Sequence, residues 1–251
     1  MNRVKTEDCF IASIDLLGAK NLISRDENDD RLNEIRNIYK SWKEIKGTSY
    51  FSPLKVKFFS DNVVIAIRVG DTNGNISAAD CLLEFTAYMA DHMLSCNYKP
   101  RGGICKGSIY MDDVFVWGKG LVDAYIMESK KAKFPRIIIS SEVLNETSDH
   151  LKRIMIQKDA DGEFILNYLK SFGRNKDLWV SHISKECESL QEEIKILQES
   201  LKIENNIQQD SKNEGMQKAE TETEKILDKL KWLQKFEETN LEYWKQCLPE
   251  R

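Results

Sequence analysis

Two aspartates stand where two apolar runs stop. Ile11-Ala12-Ser13-Ile14-Asp15-Leu16-Leu17-Gly18-Ala19-Lys20 opens as an apolar run rich in β-branched residues, reads as a buried strand, and ends on the carboxylate of Asp15. Gly18 lets the backbone turn tightly, and Lys20 opens a helix. The stretch from Leu54 to Ile67 reads as two strands joined at Ser60-Asp61-Asn62, so a second carboxylate sits at a hairpin turn. In a βαββ arrangement with a right-handed crossover, the second hairpin strand lies beside the first strand and antiparallel to it. Asp15 and Asp61 then become neighbours. Paired ionised carboxylates suit one or two hard divalent cations, and such cations suit a triphosphate. The plain alternative is a pair of turn-forming carboxylates that bind nothing.

Composition narrows the partners. At 251 residues the chain can hold one sizeable domain with an appendage. A net charge of −4 provides no global basic field, which disfavours nucleic-acid binding through phosphate neutralisation. Six scattered cysteines with no Cys-x-x-Cys pair, and three histidines, argue against a structural zinc site or a disulfide framework and suit a reducing cytosol. The first residues are polar and charged, unlike a signal peptide, and no apolar run approaches the ~20 residues of a membrane helix. The expectation is a soluble cytoplasmic protein with no nucleic-acid or membrane partner.

The elements that must place the two carboxylates follow in order. A strand is expected over 9–15, then helical sequence to about 45, interrupted by Arg25-Asp26-Glu27-Asn28-Asp29-Asp30. Leu32, Ile35, Ile38, Tyr39 and Trp42 recur at helical spacing as a core stripe. After a turn at Gly70–Asn75, Ser77 caps a helix to about Leu94 that turns Leu82, Phe85, Met89 and Met93 inward. His92 lies near its C-terminus, where a cation is favourable, and reads as structural. Strands follow at Pro100–Tyr110 and Val114–Trp117 around a Met111-Asp112-Asp113 turn, then a helix from Gly118-Lys119-Gly120 to about Lys133, then a strand at Arg136–Ile139. Gly-x-Gly at a helix start can cradle phosphate but usually marks a tight turn. After a short helix, strands at 154–156 and 164–166 flank Asp159-Ala160-Asp161-Gly162. That segment lacks the Glu an EF-hand needs at loop position 12 and reads as a hairpin turn. The order βαββαββαβ defines an α+β domain around one mostly antiparallel sheet.

From about 183 the pattern changes to a heptad seam, Ile183, Cys187, Leu190, Ile194, Leu197 and Leu201. Asn205 to Gly215 is polar and interrupts it. Ile226, Leu230, Leu233, Phe236, Leu241 and Trp244 resume a helical stripe, so residues 181–251 are expected to form an antiparallel helical hairpin after a domain at 1–180.

Four segments together resemble class III nucleotidyl cyclases: Asp15-Leu16-Leu17-Gly18, Lys57-Phe58-Phe59-Ser60-Asp61, Arg101-Gly102-Gly103-Ile104-Cys105-Lys106-Gly107 and Val116-Trp117-Gly118, in that order and spacing over roughly residues 8–140. Within that family the chain is most similar to the small bacterial pyrimidine (uridylate or cytidylate) cyclases of Pycsar antiphage defence. The resemblance implies a ferredoxin-like cyclase sheet with flanking helices and a homodimer with its site between protomers. It implies two divalent metal ions, Mn2+ or Mg2+, on Asp15 and Asp61 with the backbone of Leu16. The loop Leu16, Leu17 and Gly18 would approach the phosphates, Arg101 would bind them, and Lys57 would read the base. A separate cyclic-nucleotide effector would sense the product.

The chain also departs from the family. The aspartate that pairs with the base-reading lysine falls at Phe115, and the family's transition-state Asn and Arg fall at Val122 and Ile126, which forfeits a charge clamp. Lys119, Lys130, Lys131 or Arg136 are near enough in sequence to supply charge. A buried Phe115 cannot accept from an adenine amine, whereas Lys57 can donate to a pyrimidine carbonyl, which favours UTP, with CTP next. The implied reaction is cyclisation of UTP to cyclic UMP and pyrophosphate. The competing classes are a catalytically silent, nucleotide-binding signalling protein of the same fold and a polymerase-like palm.

Overall fold

The computed structural model describes residues 3–71, 74, 76–170, 176–210 and 221–246, with side chains for all of these except 176–179 and 204–210. Parts of the expected turn at 70–75 and of the polar interruption at 205–215 lie outside the described residues, as does Cys247.

Strand β1 (Glu7–Leu16) is central, and every residue from Cys9 to Leu16 is buried. It lies antiparallel between β3 (Asn62–Arg68) and β4 (Pro100–Met111). The hairpin partner β2 (Lys55–Phe59) is outside β3, and β6 (Ile137–Ile139) joins the other side of β4 in parallel. With β7 (Ile156–Lys158) and β8 (Phe164–Leu166) the order is β2-β3-β1-β4-β6-β8-β7, and β5 (Val116–Trp117) pairs with the far end of β4. This is the mostly antiparallel α+β sheet expected from the pattern, with β3 inserted beside β1.

Alternation along β1 sends Cys9 and Ile11 to one face, where they pack with Leu121, Ala124 and Met127. Ser13 and Asp15 follow on that same face. The helix above it is α4 (Lys119–Ile126), packed on β1 and β4, while α3 (Ala78–Ser95) packs on β1 and β3. Ser77 caps α3 by accepting from the Asp80 N–H, as its position predicts.

Glycine sets the approach of α4 to the sheet. A Cβ on Gly120 would meet Ile11 Cδ1 at 2.2 Å, and one on Gly107 would meet Gly120 Cα at 2.7 Å. Gly118 and Gly120 therefore serve close backbone packing. Helix α4 passes into a π-helical turn at Met127–Lys131, short of the expected Lys133. Glu128 lies in this turn, four residues after buried Ala124, and is itself buried.

Several expected boundaries move for local reasons. The helical stretch after β1 splits as expected into α1 (Ala19–Ser24) and α2 (Asp30–Lys46), with Ile38 and Trp42 buried. Leu32, expected in that stripe, is exposed, because the Asp26 carboxylate caps the Arg31 and Leu32 N–H groups and holds the first turn at the loop. The expected strand 114–117 shrinks to β5, since the Asp112 carboxylate takes the Val114 and Phe115 N–H groups from the ladder. After α5 (Ser141–Glu146), α6 (Asp149–Met155) runs into the expected strand 154–156 and shifts it to β7. His92 is not a helix-end cation. Its Nδ1 accepts from Trp42 Nε1 at 3.0 Å, and burial lowers its pKa, so the neutral ring is the one that fits.

The chain divides into two units, Met1–Phe172 and Gly173–Arg251. The second holds α7 (Lys176–Asp210) and α8 (Glu222–Gln246), which pack on each other. Helix α7 continues to Asp210, past the point where polar residues were expected to break it. Ile183, Cys187, Leu190, Ile194 and Leu201 are buried, and Leu197 is half-buried.

Gly120→Ala tests the glycine contact. Forcing a methyl into it should cost about 1–3 kcal/mol, read as a lower urea midpoint. An unchanged midpoint would mean that α4 lifts off β4 freely.

Candidate active site

Asp15 lies directly opposite Arg101 in the β1–β4 register. The Arg101 Nε and Nη2 groups both donate to Asp15 Oδ2, at 2.8 and 2.6 Å. Nη2 also lies 3.1 Å from Glu128 Oε1. One guanidinium thus bridges a carboxylate from the sheet and one from the π turn. Arg101 is not the solvated strand-end charge that its position allows.

Asp61 comes from the β2–β3 hairpin, whose last pair is Phe59 with Asn62. Ser60 takes a left-handed backbone, φ 53°, which side chains other than glycine's rarely adopt. Tyr39 holds that turn. Its hydroxyl donates to the Ser60 carbonyl at 3.1 Å, and its ring stacks on Phe58 with centroids 4.4 Å apart. The result brings the Asp61 carboxyl beside that of Asp15, close enough to raise its pKa. The two aspartates meet as the strand order requires.

Burial pushes the Asp15 carboxyl up to about 6, the Arg101 hydrogen bond opposes this, and contact with Asp61 adds to it. Glu128 rises to about 7, again mainly by burial, with Arg101 opposing and the two aspartates adding. Tyr39 is held well above the usual phenol range by burial and by both aspartates.

Among the described residues, no three or more His, Cys, Asp or Glu side chains form a metal-binding group. The site therefore offers two carboxylates and backbone. That set fits Mg2+ or Mn2+, which take hard oxygens from one or two carboxylates and keep positions for water and phosphate. Strand β3 pairs with β1 only to Ile14, opposite Val63, so the Asp15 and Leu16 backbone has no β3 partner. Leu17 is anchored by its N–H to the Lys99 carbonyl at 2.9 Å, and Gly18 turns the loop with φ 84°.

A second feature adjoins this one. A concavity of about 700 Å³ is lined by Ser13, Lys57, Asn62, Phe115, Val122 and Tyr125, among others. Lys57 is half-buried, and its ammonium donates to the carbonyls of Asp112, at 2.9 Å, and Asp113. Phe115 was expected to be buried. In this chain it is 48% exposed and leans on Tyr110, because the Asp112-capped turn carries it to the rim. Val122 and Ile126 are exposed on α4 and supply no polar group. Of the cations considered as substitutes, Lys119 pairs with Asp123 and Lys131 with Glu163. Arg136 is ruled out: it is buried and clamped by Asp159 and Asp161 at the hairpin turn. Lys130 is exposed.

Sequence reasoning missed Glu128, Tyr39 and Asn62. A carboxylate in an otherwise apolar helix face was the available signal for Glu128. Tyr39 was read as core, and nothing local marked its hydroxyl.

No family model and no curated protein matches the chain. Solved structures do. The adenylyl cyclase CyaB from P. aeruginosa aligns with a TM-score of 0.51 and 16% identity, over 66% of this chain and 95% of that one. The catalytic core of a rhodopsin-guanylyl cyclase with converted specificity, in complex with ATPalphaS, aligns at 0.48 and 13%, over 64% and 97%. An adenylate/guanylate cyclase/hydrolase from Silicibacter pomeroyi aligns at 0.45 and 17%, over 65% and 96%. The chain has the class III cyclase fold.

The raised Asp15 pKa makes a stability prediction for the metal-free protein in chelator. Asp15 binds its proton below about pH 6 when folded but only below 3.8 when unfolded. The folded state is therefore favoured at acid pH, and this contribution is lost as pH rises through that window. Asp15→Asn, which cannot ionise, should melt higher than the wild type near pH 7.5 and lose that advantage near pH 4. A wild type that melts higher near pH 7.5 would contradict the assignment.

Proposed function

We propose that this chain is a nucleotidyl cyclase that converts a pyrimidine nucleoside triphosphate, UTP in preference, to its 3′,5′-cyclic nucleotide and pyrophosphate. The observation that carries the proposal is the contact between Asp15 and Asp61 at adjacent strand ends, beside Arg101, in a cyclase fold.

Asp15, Asp61 and the Leu16 carbonyl would hold Mg2+ or Mn2+, which when bound neutralises the triphosphate and lowers the pKa of the ribose 3′-hydroxyl. Arg101 would donate to phosphate oxygens, where a planar fork of N–H groups is apt. The 3′-hydroxyl gives up its proton to solvent, its oxygen attacks the α-phosphorus, the bond to the oxygen bridging the α- and β-phosphates breaks, and pyrophosphate leaves.

Lys57 supports the base preference in a restricted way. An ammonium has three N–H donors, and two are committed to Asp112 and Asp113. The remaining donor suits one carbonyl acceptor, such as uracil O2 or O4. Phe115 offers nothing to an exocyclic amine, which disfavours adenine and cytosine at that edge. An antiphage messenger sensed by a separate effector follows from the sequence resemblance alone.

The proposal includes a homodimer. Phe59 and Val114 are 76% and 84% exposed, and with the exposed Val122 and Tyr125 they line one apolar concave face. A surface this apolar on a soluble chain marks an interaction site. A second copy would cover it and bring the acids of one protomer to the Lys57 concavity of the other. A second reading is a silent nucleotide-binding protein, favoured by Val122 and Ile126, which lack the amide and guanidinium of the resembling family.

Initial rates with each of the four nucleoside triphosphates and Mn2+, with products read by mass spectrometry, test the activity. UTP should lead, CTP should follow, and Asp15→Asn or Asp61→Asn should lose at least about 100-fold. Faster ATP turnover would overturn the base preference, and no cyclic product would favour the silent reading.

Val114→Glu should yield a monomer by light scattering and lose activity, whereas a fully active monomeric wild type would refute the dimer.

A further inference from the structure

We infer that Glu128 is a positioning residue for Arg101, the carboxylate that takes the guanidinium when Asp15 gives its oxygens to a divalent cation. This inference rests on the proposed cation site at Asp15 and Asp61 and assigns a role to a residue outside it.

The geometry is of a half-made exchange. Arg101 spends both Nε and Nη2 on a single oxygen, Asp15 Oδ2, and touches Glu128 only through Nη2 to Oε1. Glu128 is 1% exposed, and its Oε2 has no hydrogen-bond partner among the described residues. A buried carboxylate oxygen without a donor is costly, and natural structures rarely leave one unexplained. A guanidinium is built to engage both oxygens of one carboxylate through two parallel N–H groups. Arg101 makes that fork with neither acid in this state. A small swing toward Glu128 completes it with Oε1 and Oε2 and uncovers Asp15 Oδ2.

Glu128 is well placed to receive the swing. Its backbone sits on β4, where a Cβ on Gly103 would meet Met127 Cβ at 2.5 Å and the Glu128 nitrogen at 3.0 Å. Gly103 is two residues from Arg101 on the same strand, so the π turn and the arginine are held at a fixed separation. Without Glu128, Arg101 stays on Asp15 and competes with any cation there.

The test uses Mn2+ alone, without nucleotide, with free Mn2+ read by electron paramagnetic resonance. Glu128→Gln should weaken Mn2+ binding about tenfold, the equivalent of one charge-assisted hydrogen bond. In an Arg101→Met background the same change should alter affinity less than about twofold, because no guanidinium remains to be received. Equal weakening in both backgrounds would show that Glu128 acts only as a nearby negative charge, and the inference would fall. Glu128→Asp provides the second check without altering Arg101. It keeps the charge but withdraws the oxygens, so it should weaken Mn2+ binding as Gln does, and wild-type affinity would overturn the inference. A wild type that binds no Mn2+, or Asp15→Asn that binds it unchanged, would instead remove the cation site itself.

Discussion

One guanidinium among buried acids is the interaction on which the site depends. Asp15 and Glu128 both lie below a tenth exposed, and Arg101 is the cation that touches each of them. Buried carboxylates are tolerated only when a partner offsets their lost hydration, and removing the partner of a buried charge is far costlier than never having had the pair. Even with Arg101 in place, both acids keep raised pKa values, so the compensation is incomplete. Burial, with Asp61 alongside, thus keeps the acids at the end of β1 easier to protonate than exposed carboxyls. In the proposed reading a divalent cation would offset that burial cost at Asp15 and Asp61.

The rest of the fold can be understood as holding this arrangement still. The β1–β4 register sets Asp15 against Arg101, and a slip by one residue would turn one of them to the opposite face. Gly107 and Gly120 draw α4 down until backbone meets backbone, and the π turn beyond it delivers Glu128 to the arginine. On the other side, the Tyr39 hydroxyl braces Ser60 in a disfavoured backbone so that Asp61 faces Asp15. These three supports come from different parts of the chain.

The sheet and the aspartate pair were legible because their signals are local. A β-branched run ending at Asp15, a glycine after it and a short hairpin turn around Asp61 fix strand ends, and strand order then fixes the meeting point. The failures share the opposite property. Glu128 lies on the buried face of Ala124, and nothing in that helix announces that an arginine from β4 meets it there; Phe115 is at the rim because Asp112 captures two backbone donors nearby. Leu32 obeyed helical spacing but lost its burial to a cap supplied by Asp26, from outside the helix. For Phe115 and Leu32 a side chain competing for backbone groups overrode a pattern that was read correctly.

Lys57 shows how the two halves of the surface are tied together. Its ammonium fastens β2 to the Asp112–Asp113 turn, and four residues later the same hairpin presents Asp61. The wall of the concavity and the second acid are therefore carried by one short, stiff element. Its stiffness has a clear source, since Tyr39, Trp42 and Phe58 stack beneath it and the Tyr39 hydroxyl closes its turn. Whatever enters the concavity and displaces the turn carbonyls from Lys57 must also load that hairpin. A ligand that needs one donor can be met by the remaining N–H with the clamp intact, whereas a ligand that needs more must break it. In the proposed reading, selection at this position would act through the number of donors a ligand demands as well as through the shape of the pocket.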